Sequence, residues 1–354
     1  GGIHRGARRS QQRLTLAGYL VIYKEEAAEL LGWFNQLTIP YAGPEEVGPR
    51  PVLITWKTSF DKLDADTRFW LLVFAHYAAD PIPEFLLDSA PEAPDEVKTR
   101  HRAALKAIAQ AETYSLLTRY DDPPRFKLHR LVQHIIRLSA PEAERASAWT
   151  MGVRVMAESR PGDPSDVRTW ARWNPLQSHA DVLAASPTAV IQSEHLNWLL
   201  NCLALLLFTK SLNSRAEQRF RDALKLNEFR HGSNHQEVAT SLGNLATFLQ
   251  ATNRLSEAEP LMWRALRIDE ANFGAGHHKV AIDLNNLAVL LQDTNRLAEA
   301  EPLMRRVVKI FEISFGKDHP NVATSLNNLA QLLKTTNRLT EAELLMRGAL
   351  KIDD

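Results

Sequence analysis

Cysteine is all but absent: Cys202 stands alone in 354 residues. A single thiol forbids an intramolecular disulfide and points to a reducing compartment, so a cytoplasmic setting is expected. Net charge is missing too, with 42 Lys+Arg against 42 Asp+Glu. That balance argues against a nucleic-acid partner, because phosphate binding needs clustered Lys and Arg. There is no long hydrophobic run. The longest, Leu196 to Phe208, is interrupted by Asn197 and Asn201 and is too short to span a bilayer, so no membrane role is expected. The N-terminus, rich in Gly and Arg, has no apolar core of a signal peptide. Zinc-type spacing of Cys and His is lacking, and so is a Gly-x-Ser-x-Gly elbow. No metal, no cofactor and no catalytic residue is therefore expected.

What is present is a repeat. Asn253-Arg254-Leu255, Asn295-Arg296-Leu297 and Asn337-Arg338-Leu339 recur every 42 residues. So do His235, His277 and His319, and so do the Asn-Leu-Ala runs at 244, 286 and 328. Each unit reads as two helices. Leu242, Leu245, Ala246 and Leu249 form one apolar stripe, and Ala258, Leu261, Met262, Ala265 and Leu266 form a second. Asn253 suits a left-handed turn between them, and Gly274 a stop after the second. A hairpin of this kind cannot bury its apolar face alone, so successive units must stack into a solenoid. A degraded fourth unit precedes these three: Ser214, Ala216 and Glu217 align with Ser256, Ala258 and Glu259. Its first helix, about 195–209, is apolar nearly all round and should dock on upstream structure. Cys202 reads there as a small packed residue. The recurring His set lies in successive rungs and cannot converge on one ion, which favours a structural role at the turns. The Glu-Ala-Glu runs and Arg254, Arg296 and Arg338 read as solvated, mutually paired charges.

The units resemble tetratricopeptide repeats of the kinesin-light-chain-like kind. The residues that carry the likeness are Ser325-Leu326-Asn327-Asn328-Leu329-Ala330, Arg338-Leu339-Thr340-Glu341-Ala342-Glu343 and Gly316-Lys317-Asp318-His319-Pro320. The resemblance implies a superhelix whose first helices line a concave groove for a peptide or protein partner. Asn244 lies about 200° from Leu242 on a helical wheel, so it turns away from the packed stripe, as do Asn286 and Asn328. Each amide offers a donor and an acceptor, suited either to a peptide backbone or to a hydrogen bond between repeats. Phe248 and Val289 would add apolar contact. Gln292, Asp293 and Lys334 would tune charge selectivity.

The first half lacks the period. Leu14 to Leu31 reads as an amphipathic helix, 38–51 as a loop, and about 60–78 as a helix capped by Ser59 or Asp61. A short helix is expected at Glu84–Leu87, a longer one at Asp95–Ala109, then a hairpin across 114–128 and a helix at Leu131–Leu138. Together these describe a winged-helix module. As a DNA reader it is poorly equipped: Arg102 and Lys106 are countered by Glu112. Pro51-Val52-Leu53-Ile54-Thr55-Trp56 and Phe126-Lys127-Leu128-His129-Arg130 are similar to the winged-helix end of NB-ARC-type STAND signalling ATPases. That resemblance puts His129 where the family's histidine reads the β-phosphate of ADP, although Leu128 and Arg130 depart from its Met and Asp. A phosphate-binding loop is absent, since Gly1 to Gly6 runs on into Ala7-Arg8 where Lys and Ser/Thr are required. The chain is therefore expected to begin after an ATPase core and to hydrolyse no ATP.

The expected fold is mainly all-α. It comprises 1–50 as the end of a helical subdomain and linker, 51–138 as the winged-helix-like module, 139–192 as a helical linker, and 193–354 as the solenoid. Two roles compete: a non-catalytic sensor segment of a STAND-type protein, or a free-standing adaptor. An ADP-responsive fragment acting through His129 is a third. Leu344, Leu345, Ala349 and Leu350 on the last helix are expected to be covered by further repeats, a neighbouring molecule or self-association.

Overall fold

The computed structural model describes residues 59–185 and 193–353. The expected helix at 14–31, the rest of 1–50 and the Pro51–Trp56 segment lie outside the described residues. The chain divides into two compact units, Gly1–Leu199 and Leu200–Asp354. The fold is mostly helical, with thirteen α-helices and one small sheet among the described residues.

In the first unit α1 spans Ala65–Ala75. It starts later than expected because Asp64 is the cap, its carboxylate accepting from Thr67 N at 2.7 Å. Its last carbonyls are met by side chains of a later helix. Gln133 Nε2 lies 3.3–3.5 Å from the oxygens of Phe74, Tyr77 and Ala78, and Arg137 donates to Ala75 O at 2.9 Å. β1 (Ile82–Pro83) follows, then the expected short helix at Glu84–Leu87, a single 3₁₀ turn. α2 runs over Asp95–Thr113, and Ser115, at φ 59°, turns the chain into the hairpin of β2 (Leu117–Asp121) and β3 (Pro124–Leu128). Their antiparallel register pairs Leu117 with Leu128 and Asp121 with Pro124, leaving Asp122-Pro123 as the turn. β1 adds to the other edge of β3, giving the order β1-β3-β2. Two residues carry too little alternation to show as a strand in sequence.

α3 (Arg130–Ser139), α4 (Glu142–Glu158) and α5 (Trp170–Ala184) complete this unit's described helices up to residue 185. The stretch read as a linker thus supplies Trp149, Val153, Met156, Trp173, Leu176 and Leu183 to the buried interior. Tyr77 Oη donates to Gly152 O at 2.8 Å, and the helix packs closely there, with a Cβ built on the glycine 3.4 Å from the tyrosine ring. Phe74 meets Phe126 edge-on, with centroids 4.8 Å apart, which fastens the sheet to α1.

The repeats are helix pairs: α6 (Glu194–Thr209) with α7 (Asn213–His231), α8 (Gln236–Ala251) with α9 (Leu255–Phe273), α10 (His278–Asp293) with α11 (Leu297–Phe315), and α12 (Pro320–Thr335) with α13 (Leu339–Asp353). Asn253, Asn295 and Asn337 take φ of 59–60°, as the sequence predicts, and Ser211 does so at the same place in the first pair. The turn is closed by Arg254 N donating to Leu249 O at 2.8 Å, repeated by Arg296 and Arg338. Gly232, Gly274 and Gly316, also at positive φ, end the second helices. Ala246, Ala258 and Ala265 are fully buried where helices approach closely. Among the described residues no helix is long and apolar enough to cross a membrane.

Candidate functional site on the first helices of the repeats

Each first helix of the repeats begins with the same device. The Nδ1 atoms of His235, His277 and His319 accept from the backbone N two residues on, at 3.2, 3.2 and 3.1 Å. The rings stack on the preceding aromatic: His231 on His235, Phe273 on His277, and Phe315 on His319, with centroids 4.5–4.6 Å apart. The recurring histidines are thus helix caps, which fixes where each first helix starts and which face it turns outward. His129, the residue expected to sense nucleotide, does the same for α3: exposed, it accepts from Leu131 N at 3.3 Å.

With the helices so phased, one stripe of each stays open. It comprises Thr240, Gly243, Asn244 and Thr247 on α8, then Ile282, Asn285, Asn286 and Val289 on α10, and Thr324, Asn327, Asn328 and Gln331 on α12. Asn201, Cys202 and Leu205 continue it on α6. None of these residues is Asp, Glu, Lys, Arg or His; the exposed charges Asp293 and Lys334 come one turn further along α10 and α12. Cys202 occupies the place of the recurring asparagine and is half-buried rather than packed away.

The asparagines differ in what they have left to offer. Asn244 Nδ2 donates to Asn201 Oδ1 at 2.9 Å, and Asn328 Nδ2 donates to Asn285 Oδ1 at the same distance. Both bonds tie one repeat to the one before, the alternative that the sequence left open. The counterpart for Asn286 would be residue 243, and that residue is glycine. Asn286 consequently has no side-chain hydrogen-bond partner among the described residues, and a Cβ built on Gly243 meets nothing within 4 Å. The result is a notch bordered by one uncommitted amide, with Ile282 (49% exposed) and Val289 on the same helix.

Phe248 does not belong to this face. It is 3% exposed and lies between Phe208 and Phe220, with centroids at 5.3 and 5.4 Å. Four residues from Asn244 is about 40° around the helix, enough to carry it under the Leu245–Leu249 side. Asp293 is exposed at the end of α10 and accepts from Gln250 Nε2 at 2.6 Å, so it too links repeats. Ala349 of the last helix is 1% exposed and packs inward, whereas Leu344 and Leu350 are 64% and 61% exposed.

The first unit holds an arrangement that the sequence did not reveal. Ser89 Oγ lies 2.9 Å from His101 Nδ1, and His101 Nε2 lies 3.6 Å from Glu158 Oε2. The second separation is too long for a hydrogen bond. Glu158 is held instead by Arg100 and Arg154, and burial lowers the His101 pKa against the pull of Glu158. The three residues tie the loop at 89 to α2 and α4. No group of three His, Cys, Asp or Glu among the described residues gathers to hold a metal.

Comparison with protein families matches the repeat region. The tetratricopeptide repeat family model fits residues 195–271, 237–313 and 279–354. Among solved structures, BtubC (BKLC) from P. vanneervenii is 22% identical with TM-score 0.46, covering 62% of this chain and 86% of its own. Aspartyl phosphate phosphatase F from Bacillus subtilis is 12% identical with TM-score 0.50, covering 82% and 75%. A signal transduction ATPase with numerous domains (STAND) and a tetratricopeptide repeat sensor, from Pyrococcus horikoshii, is 12% identical with TM-score 0.39, covering 94% and 52%. No curated protein matches the chain in sequence. Residues 195–354 are tetratricopeptide repeats, arranged as a solenoid.

Proposed function

We propose that this chain is a non-catalytic protein-interaction module whose first-helix face binds an extended, largely uncharged segment of a partner protein. The observation that carries this reading is the composition of that face. Its central part presents amides, hydroxyls and aliphatic groups, with Asp293 and Lys334 only at the helix ends, and one asparagine has its donor and acceptor unspent. An amide of this kind can pair with a peptide's N–H and C=O together, and flanking Ile282 and Val289 suit apolar side chains at alternate positions. A charged ligand would be desolvated there without a counter-charge, which costs affinity.

The first unit supports a regulatory role for the same chain. Its order of α1, β1, a 3₁₀ turn, α2, β2 and β3, with the sheet order β1-β3-β2, supports the winged-helix reading of this segment. On this reading it resembles the relay segment of a STAND-type cytoplasmic signalling protein. His129 caps α3 there through its Nδ1.

The test is selection of displayed random peptides on the full chain. Selected sequences should be depleted in Asp, Glu, Lys and Arg, and Asn286→Ala should lower their affinity about tenfold, the loss of one or two hydrogen bonds. Enrichment of charged peptides, or undiminished binding by the variant, would move recognition to another surface.

A further inference from the structure

Behind the open face, α9 and α10 each bring a carboxyl group to their contact, Asp269 buried and Asp283 half-buried. In the preceding repeat the equivalent contact is an ordinary hydrogen bond: Asn227 Nδ2 donates to Ser241 Oγ at 2.8 Å and to Glu237 O at 3.0 Å. Forty-two residues on, the asparagine becomes Asp269 and the serine becomes Asp283. The donor has gone and two acceptors face the same junction. Asp269 is 6% exposed, and its Oδ1, like Asp283 Oδ2, is buried without a hydrogen-bond partner.

We infer that Asp269 and Asp283 share a proton across the α9–α10 contact, making the junction of the second and third repeats a proton-binding site that stiffens in acid and loosens in alkali. One proton turns an acceptor into a donor and restores the bond that Asn227 and Ser241 make. Without it two anions face each other in a place water reaches poorly. The charged groups around them do not replace it. Lys279 and His277 favour ionisation of Asp269 and Glu237 opposes it, but Lys279 Nζ lies 4.7 Å over the Phe273 ring and the His277 Nδ1 is taken by its cap. The next repeat has Phe311 and Ser325 at these positions, so the device belongs to one junction.

Burial and the neighbouring Asp269 carboxylate raise the Asp283 pKa to about 7, and burial raises Asp269 as well. The pair titrates as a unit. A carboxyl raised in the folded state holds its proton better folded than unfolded. Its stabilisation is complete below the unfolded value, 3.8, and is lost as pH rises through about 7. Asp283 stands three residues before Asn286 on α10, so the site lies within the helix that carries the uncommitted amide.

The experiment compares the full chain with Asp269→Asn/Asp283→Ser, which rebuilds the pair of the preceding repeat. Wild-type Tm should fall by about 3 °C or more between about pH 6 and about pH 8.5, a drop the double variant should lack. Histidine titration is common to both proteins and cancels in the difference. Amide hydrogen exchange should place the added alkaline opening in α9 and α10, and the infrared difference spectrum should show a protonated carboxyl band that the variant loses. Equal pH dependence in the two proteins, or an unchanged carboxyl band, would overturn the inference. It stands or falls independently of peptide binding, since neither readout uses a partner.

Discussion

Along α8, α10 and α12 the open stripes hold Thr, Gly, Asn, Ile, Val and Gln, whereas the second helices and the turns before them carry arginine and glutamate in register. Arg254 bonds Glu217 of the preceding repeat at 2.6 Å and Glu257 of its own at 2.7 Å. Arg296 does the same with Glu259 and Glu299, and Arg338 with Glu301 and Glu341. Arg306 reaches back to Glu270 and Arg264 to Glu228, both at 2.7 Å. Charge thus holds the second helices in register at the water-exposed side. The first helices achieve the same with amide pairs, and at one repeat leave the pair out. The contrast teaches that stacking and recognition draw on different residues, so they can be separated by mutation.

The largest break should come from the core shared by both sides. Leu287 is fully buried between Asn286 and Ala288 in sequence, and Leu287→Ala should cost about 3 kcal/mol in urea unfolding through lost contacts and a residual cavity. Both faces should fail together, with binding lost as the repeat loosens. A cost below about 1 kcal/mol would mean that the repeats collapse readily around the gap.

The second variant sharpens the contrast. Gly243→Asn should supply Asn286 with the amide that Asn201 gives Asn244. Stability should rise by about 1 kcal/mol, from the bond and from removing a glycine inside a helix. Capture of uncharged peptides should weaken, because the notch is filled and its amide spent. A destabilised variant would show that the space beside Gly243 is not free to take a side chain.

How far these features were legible in the sequence follows from their range. The 42-residue period shows helix pairs, the Asn253-type turns and the Gly274-type stops because each depends on residues a few positions apart. The groove required knowledge of which residues face each other one repeat away. The offset of 43 that brings Asn244 to Asn201 mixes two columns of the repeat, and only their joint reading shows that Gly243 leaves Asn286 alone. Phe248 failed for a related reason: helical phase placed it near the open face, but Phe208 and Phe220, from two other helices, close over it. In the first unit nothing repeats. The two-residue strand β1 and the pairing of Ser89 with His101 arise from contacts between distant segments that no local pattern announces.

The smallest effect is expected where the drawing looks busiest. Arg296 bonds two glutamates from two repeats, and its guanidinium and their carboxylates remain open to water. Glu299 is held below the ordinary carboxylate range, mainly by its bond to Arg296, yet water and salt screen such pairs and side-chain ordering offsets their gain. Arg296→Ala should therefore change Tm little at moderate salt and more at low salt, with the two proteins converging as salt is added. Peptide capture by the first helices should not change, because no arginine lies in their open stripes. A large loss of stability that salt does not diminish would instead make the arginine a packing element, its methylene stem covering the turn at Asn295.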